Sequence, residues 1–260
     1  MIYNPTQVKI AKVSKQTADD YIITINKNMK VEPGQFLQVS LPGLGEAPIS
    51  VCNYGDKFLE FNVRTVGNLT RNLCMLKPGD AIGIRGPYGN GYQLEKYKGN
   101  HVVVIGGGTG VAPIRAVLKY IEKHRKDFND VHVFLGFRSP NDIIFKKDIQ
   151  AWKKMFDFNL TLDKGDKNWK GKVGLITKII DESGLNNDNK IVFMCGPPIM
   201  MKFVGQSLNK LGFHNDQIIV SLERHMKCGL GRCGHCMVHG SYVCKDGPVY
   251  QWGKVKDLKE

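Results

Sequence analysis

The amino-acid sequence predicts a β-barrel plus α/β architecture with a small cysteine-rich C-terminal segment, on three observations. Residues 7–85 fall into short apolar runs separated by Gly- and Pro-containing turns, the pattern of a small antiparallel barrel. From residue 102 the rhythm changes to apolar runs alternating with stretches of helical spacing, which means a parallel sheet with helices on both faces. Residues 221–260 are rich in Cys, Gly and His and too poor in apolar side chains to build a core of their own, so they need something other than hydrophobic burial to fold. The expected domains are therefore 1–97, 98–220 and 221–260.

Six strands account for the first domain: Val8 to Val13, Tyr21 to Ile25, Phe36 to Leu41, Ile49 to Cys52, Phe58 to Arg64 and Ala81 to Arg85. Turns such as Glu32-Pro33-Gly34, Pro42-Gly43 and Lys77-Pro78-Gly79-Asp80 punctuate them. In the second domain, Val102-Val103-Val104-Ile105 runs into a glycine cluster, after which Ile114, Val117, Leu118 and Ile121 recur at the period of a helix. Further strands are expected at Val131 to Phe137, Leu160 to Leu162, Ile191 to Cys195 and Ile218 to Leu222.

A chain of 260 residues with 42 % apolar content can fill two cores of ordinary size. No run approaches the roughly 18 apolar residues of a membrane span. Met1-Ile2-Tyr3-Asn4-Pro5 lacks the basic-then-apolar order of a signal peptide. A cytoplasmic protein without membrane insertion is expected. The net charge of +13 is spread through pairs such as Lys146-Lys147 and Lys153-Lys154. Most of it reads as solvated surface, and the rest suits an acidic protein partner or dinucleotide phosphates. No helix-turn-helix, zinc-finger or aromatic RNA-binding signature accompanies the charge, so nucleic acid is not an expected partner.

The sharpest chemical signal is Cys228-Gly-Leu-Gly-Arg-Cys233-Gly-His-Cys236, the C-x4-C-x2-C spacing of plant-type [2Fe-2S] ligation, with Cys244 as fourth thiolate. Gly229, Gly231 and Gly234 let backbone N–H groups turn toward the sulfurs of an anionic cluster. Cys244 follows after a much shorter interval than in plant-type ferredoxins. Four cysteines with His225, His235 and His239 nearby also leave a zinc site open. Cys52, Cys74 and Cys195 lie far away and read as small buried residues.

The second signal is Gly106-Gly107-Gly108-Thr109-Gly110-Val111-Ala112-Pro113. It follows a strand and opens a helix, where backbone donors and the helix N-terminus can hold a pyrophosphate. It departs from G-x-G-x-x-G at Val111. Cys195-Gly196-Pro197-Pro198 closes another strand of the same domain, at the carboxyl edge where open α/β sheets bind ligands.

Taken together, Gly107 to Pro113, Cys195-Gly196-Pro197 and the preceding barrel resemble the ferredoxin-NADP reductase superfamily over almost the whole chain. Within it the sequence resembles the electron-transfer subunits of dihydroorotate dehydrogenase B and, more closely, the B-subunit family of anaerobic sulfite reductases. Three strings carry the closer likeness: Glu46-Ala47-Pro48-Ile49-Ser50, Gly89-Asn90-Gly91-Tyr92, and Cys233-Gly234-His235-Cys236 with Tyr242-Val243-Cys244-Lys245-Asp246-Gly247-Pro248. The resemblance implies FAD in the barrel, a nicotinamide dinucleotide on the sheet and the cluster beyond.

The same resemblance maps the flavin motif onto Pro48, Ile49 and Ser50, and onto Asn62, Val63 and Arg64 followed by Gly67, Leu69 and Thr70. Ala47 stands where the family usually has an arginine, so Arg64 is expected to meet the flavin phosphate instead. For the dinucleotide the implied residues are Gly107, Gly108, Thr109, Gly110, Val111, Pro113 and Arg138, with Cys195, Gly196, Pro197 and Pro198 beside the nicotinamide. Arg138-Ser139 at a strand end favours a 2'-phosphate by general rule, while the resemblance favours NADH over NADPH. The implied protein is an NAD(P)H-dependent oxidoreductase subunit serving iron-sulfur and sirohaem-type reductase subunits in a hetero-oligomer. Dihydroorotate dehydrogenase, a hydrogenase and a ferredoxin:NADP transhydrogenase are the alternative partners.

Overall fold

The computed structural model describes residues 4–27 and 29–257. Two compact units divide the chain, Met1–Gly91 with Glu223–Pro248, and Tyr92–Leu222 with Val249–Glu260.

In the first unit, β1 (Thr6–Lys15), β2 (Asp20–Asn26), β3 (Phe36–Leu41), β4 (Gly45–Tyr54), β5 (Phe58–Arg64) and β6 (Ala81–Tyr88) close an antiparallel barrel. Its strand order is β1-β2-β5-β4-β3-β6. β3 and β5 keep the limits expected from sequence, and the other four extend beyond them. Alternation explains the pairing: Leu59, Phe61 and Val63 of β5 point into the core, and Glu60 and Asn62 turn outward. Ile23, Ile25, Leu37, Val39, Val51, Ile82 and Ile84 fill the same core. Register breaks between Ile10 and Lys12, Phe36 and Gln38, and Val51 and Asn53 are bulges of the kind that curl strands into a closed barrel. After β5, helix α1 (Asn68–Met75) buries Leu73 in that core. The late segment of this unit contributes the hairpin β13 (Met237–Val238) and β14 (Ser241–Tyr242) and the single turn α6 (Val243–Asp246).

The second unit is a seven-stranded sheet of β7 (His101–Gly107), β8 (Val131–Phe137), β9 (Asp157–Leu162), β10 (Lys172–Val173), β11 (Lys190–Cys195), β12 (Ile218–Ser221) and β15 (Val249–Gln251). The order is β10-β9-β8-β7-β11-β12-β15, parallel except for β15, which runs antiparallel to β12. β7 comes first in the chain yet lies between β8 and β11, so the strand order reverses beside it. Open α/β sheets bind ligands at such a reversal. Four helices accompany the strands: α2 (Val111–Lys123), α3 (Lys146–Met155), α4 (Ile176–Asp181) and α5 (Pro198–Lys210). Val103, Ile105, Phe134, Val192 and Met194 of the sheet pack with Ile179 and Ile180 of α4 and Val204 and Leu208 of α5, and Trp252 from the C-terminal stretch joins them. The expected stripe Ile114, Val117, Leu118 and Ile121 is fully buried on α2. Arg115 of α2 binds Asp148 of α3 at 2.7 Å, and Lys119 reaches the other carboxylate oxygen at 2.9 Å. Burial raises the Asp148 carboxyl, but Arg115 and Lys119 outweigh it and hold it below the ordinary value. Among the described residues no helix is long and apolar enough to cross a membrane.

Candidate functional site

The cysteine loop shows local geometry made for thiolates. Gly229, Gly231 and Gly234 all adopt positive φ, and the turns they permit aim amides at sulfur. Leu230 and Arg232 donate N–H to Cys228 Sγ at 3.3 and 3.4 Å, and Gly231 donates to Cys244 Sγ at 3.2 Å. Burial opposes ionisation of Cys228, but the N–H groups of Arg232, Leu230 and Cys233 outweigh it and lower the thiol to about 6. Burial and then the hydrogen bond with Cys236 push Cys244 up to about 12. Cys233 lies beside Cys228, and both Cys236 and Cys228 lie near Cys244. Four thiols brought into one loop, with amides directed at the sulfurs of Cys228 and Cys244, fit an anionic iron-sulfur cluster that Cys228, Cys233, Cys236 and Cys244 would hold.

The barrel holds this loop from below with residues that the sequence reading did not single out. Gln38 of β3 is buried and donates its amide to the carbonyls of Met226 and Lys227 at 2.6 and 3.2 Å. Arg85 of β6 donates through Nη1 and Nη2 to the Cys228 carbonyl at 3.3 and 3.4 Å, and through Nη1 to the Tyr88 hydroxyl at 2.9 Å. Gly229 lies on the Tyr88 ring so closely that a Cβ there would come within 2.8 Å of it. The far end of the segment is tied as well, because Asn90 donates its backbone N–H to Gly247 O at 2.7 Å and its side-chain amide to Asp246 O at 3.1 Å. Both alternate with core residues, Gln38 with Leu37 and Val39 and Arg85 with Ile84, so they lie on the outer face of the barrel, and the sequence marks them only as polar residues within apolar strands.

The flavin residues implied by resemblance lie on β4, β5 and the turn into α1. Pro48, Ile49 and Ser50 are half-buried on β4, beside Gln38, Leu37 and Phe36 of β3. Asn62 donates to Asp20 at 3.1 Å, while its buried Oδ1 has no hydrogen-bond partner among the described residues. Val63 faces the core, and Arg64 is exposed with no ion pair among the described residues. Leu69 packs partly against the barrel core. Thr70 is buried, and its hydroxyl accepts from the N–H of Val66 and Gly67 at 3.1 and 3.0 Å, which fixes the turn. Gly67 has φ −144°, a value any residue adopts, and no atom lies within 4 Å of where its Cβ would be. Packing does not require glycine there. A phosphate approaching the backbone and the free amides of the first turn of α1 would require it.

At the sheet edge, two expected turns come together. Cys195 pairs in register with Gly106, and a Cβ on Gly110 would stand 2.6 Å from the Cα and N of Gly196. Backbone therefore meets backbone at Gly110, which tolerates no side chain without moving the Gly196 turn, while a Cβ on Gly107 or Gly196 would meet the Met200 side chain. Gly107, Gly110, Val111 and Pro113 are buried, whereas Gly108 and Thr109 are half-buried. Pro113 sits in the first turn of α2, where its missing N–H costs no hydrogen bond. Pro197 and Pro198 are exposed, and Arg138 is exposed at the end of β8 with no ion pair among the described residues. Ser139 donates its hydroxyl to Asp142 Oδ2 at 2.5 Å, so a carboxylate does stand close to this strand end. Cys52, Cys74 and Cys195 are buried, as expected.

Comparison with known proteins finds matches over both regions. Residues 104–206 match an oxidoreductase NAD-binding domain, and residues 223–256 match the iron-sulfur cluster binding domain of dihydroorotate dehydrogenase B. Fold and sites therefore define an NAD-dependent, iron-sulfur electron-transfer oxidoreductase subunit. The chain is 36 % identical to sulfhydrogenase 1 subunit gamma of Pyrococcus furiosus, over 95 % of this chain and 90 % of that one. It is 32 % identical to a probable dihydroorotate dehydrogenase B (NAD(+)) electron transfer subunit of Methanocaldococcus jannaschii, over 98 % and 93 %. The chain belongs to this family of electron-transfer subunits. Among solved structures, an NADH-dependent reduced ferredoxin-NADP oxidoreductase studied for flavin-based electron bifurcation aligns with a TM-score of 0.81 and 26 % identity, over 97 % of this chain and 89 % of that one. The cofactor set of FAD, an iron-sulfur cluster and NADH accords with these matches. They do not support sulfite reduction in particular.

Proposed function

We infer that this chain oxidises NADH through FAD and one [2Fe-2S] cluster and passes single electrons to a catalytic partner subunit. The observation that carries this is the four-cysteine loop anchored on the barrel by Gln38 and Arg85. When bound, the flavin converts a two-electron donor into one-electron transfers, and the cluster carries the single electrons onward. The protein contributes position and charge. Ser50 and its neighbours Pro48 and Ile49 form the bed for the flavin ring. Asn62, Val63, Arg64 and the Gly67 to Thr70 turn hold its phosphates, with Arg64 replacing the cation missing at Ala47. On the sheet, Gly107 to Pro113 hold the dinucleotide pyrophosphate at the α2 N-terminus. Arg138 meets the adenosine end, and Cys195 to Pro198 lie beside the nicotinamide. Cys228, Cys233, Cys236 and Cys244 hold the cluster.

The sequence strings point to anaerobic sulfite reductase as the partner, whereas the relatives named above are a sulfhydrogenase subunit and dihydroorotate dehydrogenase subunits. The relatives align over nearly the whole chain and outweigh three short strings, so a hydrogenase-type or dihydroorotate dehydrogenase-type partner is the better supported. Purification without oxygen from the native source tests both levels. Near one FAD, two irons and two labile sulfides per chain are expected, and stoichiometric zinc without labile sulfide would sink the cofactor assignment. Hydrogen uptake or orotate formation by the co-purified complex is the expected activity. Sulfite reduction by it would restore the sequence-based partner.

A further inference from the structure

The barrel meets the cluster loop with a charge pair. Arg85 Nε and Nη2 bind the two Glu46 carboxylate oxygens at 3.0 and 2.5 Å. The Arg85 side chain is 3 % exposed and that of Glu46 32 %. A guanidinium so deeply buried needs a compensating anion, and Glu46 supplies it. Its remaining donors do not point back to solvent but to the Cys228 carbonyl and the Tyr88 hydroxyl. The cation is thus placed beside the backbone of the first cluster ligand, with Nη2 shared between that carbonyl and the Glu46 counter-ion.

We propose that the Glu46–Arg85 pair sets the reduction potential of the cluster, Arg85 drawing it upward and Glu46 holding it down, in addition to fixing the position of Cys228. This rests on the four-cysteine [2Fe-2S] assignment above. One electron enters the oxidised cluster and reduces one ferric ion to ferrous, with no bond made or broken. The anionic centre becomes more negative by one charge. A neighbouring cation therefore stabilises the reduced form and a neighbouring anion the oxidised form, and local charge is a recognised determinant of cluster potential. Because the pair is neutral as a unit, removing either member unmasks the other. The two single substitutions then act in opposite directions. A purely structural role predicts otherwise, because loosening the loop admits water in both variants and moves both the same way.

The test uses the full chain purified without oxygen as wild type, Glu46→Gln, Arg85→Met and the double variant. Iron, labile sulfide and FAD are assayed first, and the reduced-cluster EPR signal is then titrated against potential. Glu46→Gln should raise the midpoint and Arg85→Met lower it, each by about tenfold in the one-electron equilibrium, or about 59 mV. The double variant should fall between them. If Arg85→Met sheds the cluster, the sign of the Glu46→Gln shift alone decides, because glutamine retains an acceptor for Arg85. Cluster-bearing variants with unchanged midpoints, or both moved in one direction, overturn the inference. Wild-type protein without labile sulfide removes the cluster assignment and this inference together.

Discussion

In β7, Val102 to Ile105 are each fully buried, walled by β8 and β11 on either side. Between Cys228 and Cys244 the picture is reversed. Cys236, Val243 and Cys244 are buried, while Arg232, Cys233, His235, Met237 and His239 are exposed. The first region is held by apolar area removed from water, about 1.5–3 kcal/mol for each large aliphatic side chain. The second has few such side chains. It is held by amides aimed at sulfur and by carbonyls clamped to Gln38 and Arg85. Where a segment lacks a core, ligand-binding energy becomes folding energy. The two regions of one chain should therefore fail differently.

The largest effect is expected from Cys236→Ser. It removes one of the cluster thiolates, so the cluster should be lost and delivery to one-electron acceptors should fall to background. Flavin reduction by NADH should remain largely intact, because the residues assigned to it lie on β4, β5, the turn into α1 and the sheet edge. Labile-sulfide assay with stopped-flow reduction reads both outcomes. Loss of flavin reduction in a folded, FAD-loaded variant would mean that the order of carriers is wrong. Phe61→Ala breaks the other kind of region. Phe61 is 1 % exposed in the barrel core, and such a truncation costs about 3–5 kcal/mol. Denaturant unfolding should show that loss whether or not the cluster is present. A loss seen only in cluster-free protein would erase the distinction drawn between the regions.

What the sequence disclosed divides along the same line. Barrel and sheet were legible because their strands alternate or run apolar over several residues, as Phe58 to Arg64 and Val131 to Phe137 do. The cluster was legible because its spacing is local, with Cys228, Cys233 and Cys236 within one loop. Long-range arrangements were not. Nothing near Gln38 or Arg85 in sequence announces contact with Met226 or Cys228, nearly 190 and more than 140 residues away. The antiparallel edge strand β15 also escaped, because three residues carry no usable period. Asp142 is only four residues from Arg138, but its bond with the Ser139 hydroxyl depends on a turn that sequence does not dictate.

Arg138 offers the smallest and finest test, because it belongs to neither kind of region. It is exposed and forms no ion pair among the described residues, so Arg138→Ala should leave the unfolding midpoint unchanged. Its effect should appear only with a dinucleotide bound. With Asp142 holding Ser139 and repelling a nearby phosphate, NADH should reduce the flavin with the larger kcat/KM, and Arg138→Ala should weaken NADH and NADPH alike. If Arg138 instead pairs a 2'-phosphate, the substitution should penalise NADPH selectively. A hydrogen bond to a charged group is worth about 1.5–3 kcal/mol, or roughly 10- to 150-fold in kcat/KM, well within the reach of stopped-flow measurement. A wild-type preference for NADPH that disappears in Arg138→Ala would overturn the NADH assignment and move the chain toward a transhydrogenase role.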